Sequence, residues 1–119
     1  MPAFLIVRAE VTDPDRYAIY ARHTPRLIAA HGGRFVARGG GVETIEGDPE
    51  PRRVVVVEFP DAEAARAFYH SEDYQRIVGI RQQASDSEMI LVEGFPQADW
   101  DGAVAASNEL TLDADPDLA

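Results

Sequence analysis

The sequence predicts an α+β domain of the ferredoxin-like βαββαβ type, in which one four-stranded antiparallel sheet carries its helices on one face. Three observations lead to this fold class. Four short runs rich in valine, isoleucine, leucine and phenylalanine are typical of strands. Longer segments with helix-capping residues separate the first run from the second and the third run from the fourth. A chain of 119 residues also has about the length of one such domain.

The first strand and the first helix have recognisable boundaries. The run "AFLIVRAEV", residues 3–11, is short and apolar and predicts a strand. Thr12 or Asp13 can cap the helix that follows. Pro14 suits the first turn of this helix, and Gly32 suits its C-terminal end.

The first helix contains a proline and an inward-facing stripe. Pro25 removes one backbone hydrogen bond, so we expect a kink there, with Thr24 able to cap the second piece. Residues at helical spacing on one side are expected to face the core. These residues are Tyr17, Tyr20, Thr24, Leu27 and His31.

Two further strands follow the helix. "RFVAR", residues 34–38, predicts a short strand, and "RRVVVVEF", residues 52–59, predicts a central strand covered on both faces. The loop between them contains Gly39, Gly40 and Gly41 and has neither the GxxxxGK[ST] nor the GxGxxG pattern of a phosphate-binding loop. We expect these glycines to provide positive φ angles and a bulge where an edge strand ends.

The remaining helical region and strand complete the pattern. "PDAEAARAFYHSEDYQRIVGIRQQAS" predicts a helix in two pieces, the first starting at Pro60 and Asp61 and the second capped by Ser71. "SEMILVEGF", residues 87–95, predicts the fourth strand. Residues 1–96 are therefore the predicted domain.

The C-terminal tail, residues 97–119, differs in composition from the domain. It contains six acidic residues and no basic residue. We expect this tail to be disordered, or to lie as an extended arm over a partner subunit with Trp100 as its contact.

Composition argues against several classes of function. A net charge of −10 opposes binding to nucleic acid or to an anionic membrane, because both require clustered positive charge. All eleven basic residues are arginines, and the absence of lysine excludes Schiff-base chemistry. The absence of cysteine excludes disulfides and thiolate nucleophiles. No signal peptide and no apolar run long enough to span a membrane are recognisable, so we expect a cytoplasmic protein.

The three histidines do not form a metal-binding motif. His23, His31 and His70 lack the spacing of paired ligands on one helix or strand. We therefore expect neither a metal nor a cofactor.

Both faces of the predicted sheet are apolar. Monomers avoid an exposed apolar face of this size, so we expect a second copy to cover it in a symmetric homodimer. The two faces consist of Ala3, Leu5, Val7, Ala9, Val55, Val57 and Phe59 on one side and Phe4, Ile6, Val54 and Val56 on the other.

The segments "HGGRFVARGGGVETIEG", "VVVVEFPDAEAARAFYHSEDYQ" and "MILVEG" resemble the family called domain of unknown function 1330, part of the dimeric α/β barrel superfamily. The resemblance runs from about residue 2 to residue 95. It implies a dimeric barrel and no particular reaction. The tail matches nothing in the family pattern, and "DPEPRR" departs from it, so we expect the rim of the glycine loop to differ.

Arg81 is the most unexpected residue of the last helix. It lies on an inward-facing stripe formed by Tyr74, Ile77, Val78 and Arg81. A buried guanidinium must be paired, because leaving it alone costs several kcal/mol. Glu58 and Glu93 interrupt apolar strands and are its expected partners. The pair either fixes helix to sheet or leaves spare donors for an anionic ligand.

These residues predict a site between the helices and the sheet. The glycine loop would form its rim, with Arg38 at the mouth and Arg81 deeper inside. The tyrosines either fill the core or line the site. The candidate residues are Arg38, Arg81, Tyr17, Tyr20, Tyr69, Tyr74, Glu58 and Glu93.

Two functions remain open for this site. The first is binding of a small organic anionic or aromatic metabolite. The alternative is a small metal-independent enzyme, monooxygenase-like or isomerase-like, which only the resemblance to the superfamily suggests.

Overall fold

The computed structural model describes residues 1–118. Eight helices and strands follow one another in the order βαββααβα, and a single 3₁₀ turn, Pro116–Leu118, follows them. They are β1 (Ala3–Val11), α1 (Pro14–Ala30), β2 (Arg34–Ala37), β3 (Arg53–Phe59), α2 (Ala62–His70), α3 (Glu72–Ala84), β4 (Ser85–Glu93) and α4 (Gln97–Asn108).

The four strands form one antiparallel sheet in the order β2-β3-β1-β4. Leu5 in the middle of β1 pairs with Val57 of β3 on one side and with Leu91 of β4 on the other. This is the arrangement of the ferredoxin-like fold, with α2 and α3 as the two pieces of its second helix. The predicted fold class is confirmed.

Side-chain caps set the starts of the helices as predicted. The Asp13 carboxylate accepts a hydrogen bond from the Arg16 amide, and the Asp61 carboxylate accepts one from Ala64. The Ser71 hydroxyl separates α2 from α3 by donating to the Phe68 carbonyl and accepting from a backbone amide of α3.

β4 begins at Ser85, two residues before the predicted start at residue 87. The ladder with β1 extends to the pair formed by Val11 and Ser85. Beyond that pair, the amides of Thr12 and Asp13 both donate to the Ala84 carbonyl. The long-range partner decides this boundary, so the local sequence could not show it.

The two faces of the sheet have different surroundings. The face that packs against the helices carries Leu5, Val7, Val55, Val57 and Phe59, which are all buried. No helix among residues 1–118 covers the opposite face, whose residues are partly or largely exposed. Its apolar residues are Phe4, Ile6, Val54, Val56, Ile90 and Val92.

Residues 97–108 form a helix, whereas the sequence predicted an extended or disordered tail from residue 97. The segment contains four alanines, and Ala is the strongest helix former. That prediction gave weight to the acidic charge and not to this propensity. None of the twelve residues of α4 is buried, and the radius of gyration of 18.4 Å exceeds the roughly 13–14 Å of a compact domain of this length. The helix therefore stands away from the body. That residues 1–96 fold independently stays a prediction.

Candidate functional site

A cavity lies between α1 and the helix-covered face of the sheet. It contains about 40 Å³ of free space within a hollow of about 470 Å³ that includes the open mouth. Its apolar walls come from strands and helices, with Leu5, Val57, Met89, Phe35, Ile28 and Phe68 among them. The predicted residues Tyr17, Tyr20, Tyr74 and Arg38 line it, and so does Arg53.

Tyr20 and Tyr74 form a hydrogen-bonded pair in the wall of the cavity. Their hydroxyl oxygens are 2.7 Å apart, and the two rings meet edge to face at 6.1 Å. Burial raises the pKa of Tyr20 above its ordinary value, and the neighbouring Tyr74 adds to the shift. Burial also raises the pKa of Tyr74. Both phenols are therefore neutral near pH 7 and can donate a hydrogen bond.

Arg81 is buried, as its place in the helical stripe predicted, with 4% of its surface exposed. Its Nη1 donates to the Ser87 hydroxyl at 2.5 Å, and its Nε has no partner. Burial alone would lower the pKa of Arg81, but the Tyr74 and Tyr20 hydroxyls beside it raise the pKa, so it stays charged. A cation next to neutral phenols favours any negative charge that forms on them or near them.

The predicted carboxylate partners of Arg81 are wrong. Glu58 lies on the opposite face of the sheet, where it pairs with Arg34 at 3.5 Å. Glu93 is exposed at the end of β4. Within residues 1–118, no carboxylate lies within 4.0 Å of the Arg81 guanidinium. Side chains alternate between the faces of a strand, and this alternation puts Glu58 on the side away from α3.

A hydrogen bond to a backbone carbonyl of α1, which Pro25 leaves free, holds the Arg38 side chain at the cavity. Pro25 has no amide hydrogen to donate to the Ala21 carbonyl, which lies four residues earlier. The Arg38 Nη2 donates to this oxygen at 2.8 Å, and the Thr24 hydroxyl donates to it at 3.0 Å. Helix α1 continues through Pro25, so Thr24 does not cap a second piece as the sequence predicted.

Arg53 is a cavity residue that the sequence did not reveal. It is the first residue of β3, its guanidinium lies 5.4 Å from the centre of the Tyr17 ring, and its Nε is buried without a partner. Arg38 similarly lies 4.3 Å from the centre of the Phe35 ring. The sequence signal that could have identified Arg53 is its position directly before the four valines of β3, at the far end of the loop from Arg38.

The glycine loop contributes less than predicted. Of its three consecutive glycines only Gly39 has a positive φ, at 73°, and none of the three lines the cavity. The residues at the two ends of the loop, Arg38 and Arg53, reach the cavity instead. The loop therefore joins the two cationic groups of the rim without forming the rim itself.

Tyr69 lies outside the cavity. Its ring packs 5.5 Å from that of Tyr74, on the side toward a second groove between α2 and β4. Of the eight predicted site residues, the structure thus brings Tyr17, Tyr20, Tyr74 and Arg38 together, with Arg81 behind them. Tyr69, Glu58 and Glu93 lie elsewhere.

Two further features concern metals and membranes. Within the described part of the chain, no three His, Asp or Glu side chains converge as a metal site would require. No helix among residues 1–118 combines the length and the hydrophobicity needed to cross a bilayer.

The geometry can be compared with known proteins. A family model described as Domain of unknown function (DUF1330) matches residues 2–95. The chain belongs to this family. No curated protein matches this DUF1330 protein in sequence.

Solved structures share the fold of this DUF1330 protein at low identity. A protein of unknown function from Rhodopseudomonas palustris is 21% identical, with 80% of this chain and 83% of that chain covered and a TM-score of 0.64. SnoaB, a cofactor-independent oxygenase from Streptomyces nogalater, is 18% identical, with 81% and 95% covered and a TM-score of 0.58. A Bacteroides thetaiotaomicron protein described as a possible oxidoreductase is 18% identical, with 78% and 97% covered and a TM-score of 0.53. Identities this low establish the fold alone.

Proposed function

We propose that this DUF1330 protein binds a small planar metabolite, aromatic or similar, that carries an anionic or hydroxyl group. The supporting observation is that one cavity combines aromatic walls, two neutral phenols and two arginines. Within residues 1–118, neither Arg38 nor Arg53 has a carboxylate within 4.0 Å. In a chain with a net charge of −10, two unpaired guanidinium groups at one cavity favour an anionic ligand.

The ligand has one preferred orientation in this cavity. Its anionic group lies near Arg38 and Arg53, because a guanidinium can bind a carboxylate through two parallel hydrogen bonds. Its planar body packs against the ring of Tyr17, and its hydroxyl group reaches the Tyr20 and Tyr74 pair. The buried charge of Arg81 stabilises electron density on that hydroxyl.

A ligand of this size has to widen the cavity, which holds only about 40 Å³ of free space in this conformation. Arg38 is the side chain that can move, since it is exposed and is held at the mouth by one hydrogen bond to the Ala21 carbonyl. Thr24 also donates to that carbonyl. Movement of Arg38 toward a ligand therefore leaves no buried carbonyl without a donor.

The test compares two ligands of the same shape and different charge. We expect para-hydroxybenzoate to bind about tenfold more tightly than para-hydroxybenzyl alcohol in isothermal titration calorimetry, a difference of about 1.4 kcal/mol. Arg53→Gln should reduce this preference, and the double variant Arg38→Gln with Arg53→Gln should abolish it. The matched control is Arg76→Gln, which removes an exposed arginine of α3 outside the cavity and should preserve the preference.

Equal affinity for the two ligands would contradict the role of the arginines. No binding of either ligand, nor of larger hydroxylated aromatic acids in a thermal-shift screen, would contradict the proposal itself.

A second candidate function is a metal-independent oxygenase or isomerase acting on the same class of ligand. The Tyr20 and Tyr74 hydroxyl pair favours it, as does the likeness in fold to SnoaB, a cofactor-independent oxygenase. An oxygen electrode with hydroquinone as substrate tests the oxygenase. Oxygen consumption that is lost in Tyr20→Phe would support it, whereas binding of hydroquinone without oxygen consumption would contradict the oxygenase.

A further inference from the structure

The segment after β4 is an exposed helix without a partner in its own body. We call residues 97–118, which include α4, the C-terminal arm. Isolated helices shorter than about 12–15 residues are marginal in water and depend on packing for their stability. None of the twelve residues of α4 is buried, and Trp100 is 55% exposed. The arm thus has the properties of an element whose packing partner lies outside its own subunit.

One face of the arm is apolar and its borders are acidic. Trp100 and Val104 are one helical turn apart and lie on the same side of α4. Asp99 and Asp101 flank the indole ring in sequence. Over its whole length the arm carries six acidic residues and no basic residue. Its partner surface should therefore be apolar with basic borders.

The body carries a surface of this kind between α2 and β4. This surface, the α2–β4 groove, contains about 240 Å³ of free space, six times that of the cavity. Arg66 and His70, one turn apart on α2, are its only charged or basic lining residues, and no carboxylate lines it. Its other lining residues are Leu5, Ala65, Tyr69, Met89, Ile90 and Leu91.

We propose that the C-terminal arm of one copy docks in the α2–β4 groove of a second copy, with Trp100 in the apolar centre and Asp99 and Asp101 beside Arg66 and His70. Complementary charge and the exposure of the arm on its own subunit favour a second copy as the occupant. Buried tryptophans often dominate such interfaces. The proposal rests on self-association and not on the ligand proposed above.

Docking of the arm would also affect the cavity. Leu5 and Met89 line both the groove and the cavity, and Tyr69 of the groove packs against Tyr74 of the cavity. The arm of the second copy would therefore pack against the groove side of the wall that the groove shares with the ligand cavity.

Trp100 is the only tryptophan, so the tryptophan emission of the full-length protein reports on the arm alone. We expect Trp100 emission to be blue-shifted and protected from acrylamide at tens of micromolar protein, and to shift to the red on dilution together with dissociation in light scattering. Arg66→Glu should abolish the blue shift and weaken self-association by about tenfold or more. Arg76→Glu, with the same change of charge on an exposed part of α3, should leave both unchanged.

Four outcomes would overturn the proposal. A blue shift that persists in the monomer would place the arm on its own subunit. An equal response of the Arg66→Glu and Arg76→Glu variants would remove the groove as the docking site. A dimer in which Trp100 is fully exposed would show that the arm is not part of the interface. A protein that is monomeric at every concentration would show that no second copy binds the arm.

Discussion

Arg81 is a buried cation whose neighbours are hydroxyl groups instead of carboxylates. Its replacement by alanine removes the hydrogen bond to Ser87 and leaves a space beside the two buried phenols. We expect Arg81→Ala to lower the free energy of unfolding by about 2–3 kcal/mol, from the lost packing and the unpaired hydroxyls. Urea denaturation monitored by circular dichroism measures this loss.

The control for this prediction is Arg76→Ala, because Arg76 is exposed and makes only a long contact of 3.9 Å with Asp73. Its effect should stay within about 0.5 kcal/mol. A loss of the same small size for Arg81→Ala would show that the buried charge contributes nothing net to stability.

The tyrosine pair makes stability sensitive to alkaline pH. Burial raises the pKa of Tyr20 in the folded protein, whereas a tyrosine of the unfolded chain ionises near pH 10. The folded state therefore binds this proton more tightly. The resulting stability is complete below about pH 10 and decreases as the pH rises above that value.

We expect the urea midpoint to fall as the pH rises above about 10, where tyrosine is the main titrating side chain because the chain has no lysine or cysteine. The absorbance of tyrosinate should rise as the protein unfolds. Tyr20→Phe should reduce the slope of stability against pH, whereas Tyr69→Phe, outside the hydrogen-bonded pair, should retain it. The same slope in both variants would argue against the buried pair as its source.

At the scale of elements, the turn between α1 and β2 depends on close packing at Gly33. A Cβ atom at this position would lie 2.7 Å from the Phe59 ring and 2.9 Å from an Ile28 methyl group. Phe59 is fully buried. We expect Gly33→Ala to destabilise the protein by about 1–3 kcal/mol, measured by urea denaturation.

The matched control lies in the glycine loop. A Cβ atom at Gly40 would meet nothing within 4 Å, and its φ is not positive. Gly40→Ala should therefore change stability by no more than about 0.5 kcal/mol. If Gly40→Ala proves as harmful as Gly33→Ala, the loop has a packing role that its open surroundings do not indicate.

At the scale of the whole molecule, the open face of the sheet is the main unpartnered surface of the body. Its apolar residues include Ile6 and Val56 on the two central strands and Ile90 on the edge strand β4, of which Ile90 is 51% exposed. Exposed apolar residues grouped on one face often mark an interface, so we propose that a second copy covers this face. The pairs Arg8 with Glu88 and Arg34 with Glu58 border this face.

We expect the protein to be a dimer in light scattering at micromolar concentration, with about 2,000 Å² or more buried. Ile6→Asp should produce a folded monomer, because it places a charge in the middle of this face on central strand β1, outside the α2–β4 groove, and leaves the core untouched. Ala29→Asp, on the exposed side of α1, should remain dimeric. A wild-type monomer, or an Ile6→Asp variant that dimerises as tightly as the wild type, would contradict this assembly.

The order of strands and helices could be read from the sequence, because local rules determine it. The spacing of apolar residues identifies strands and helices, and caps such as Asp13, Asp61 and Ser71 mark where helices begin. The same periodicity showed that Arg81 faces inward. Helix propensity could also have shown α4, whose alanines are a local signal that the acidic charge obscured.

Only the tertiary structure decided which groups meet. Arg81 contacts Ser87 and lies near two tyrosines from different helices, and Arg53 joins the cavity from the far end of a loop. Periodicity predicts which face of a helix or strand a residue occupies. It does not predict which residue of another element lies opposite that residue. That choice depends on how the helices sit on the sheet, and so on contacts between residues far apart in the chain. Local spacing in the sequence was therefore enough to predict the fold. It was not enough to predict the site, because only half of the predicted site residues line the cavity once the elements are packed together.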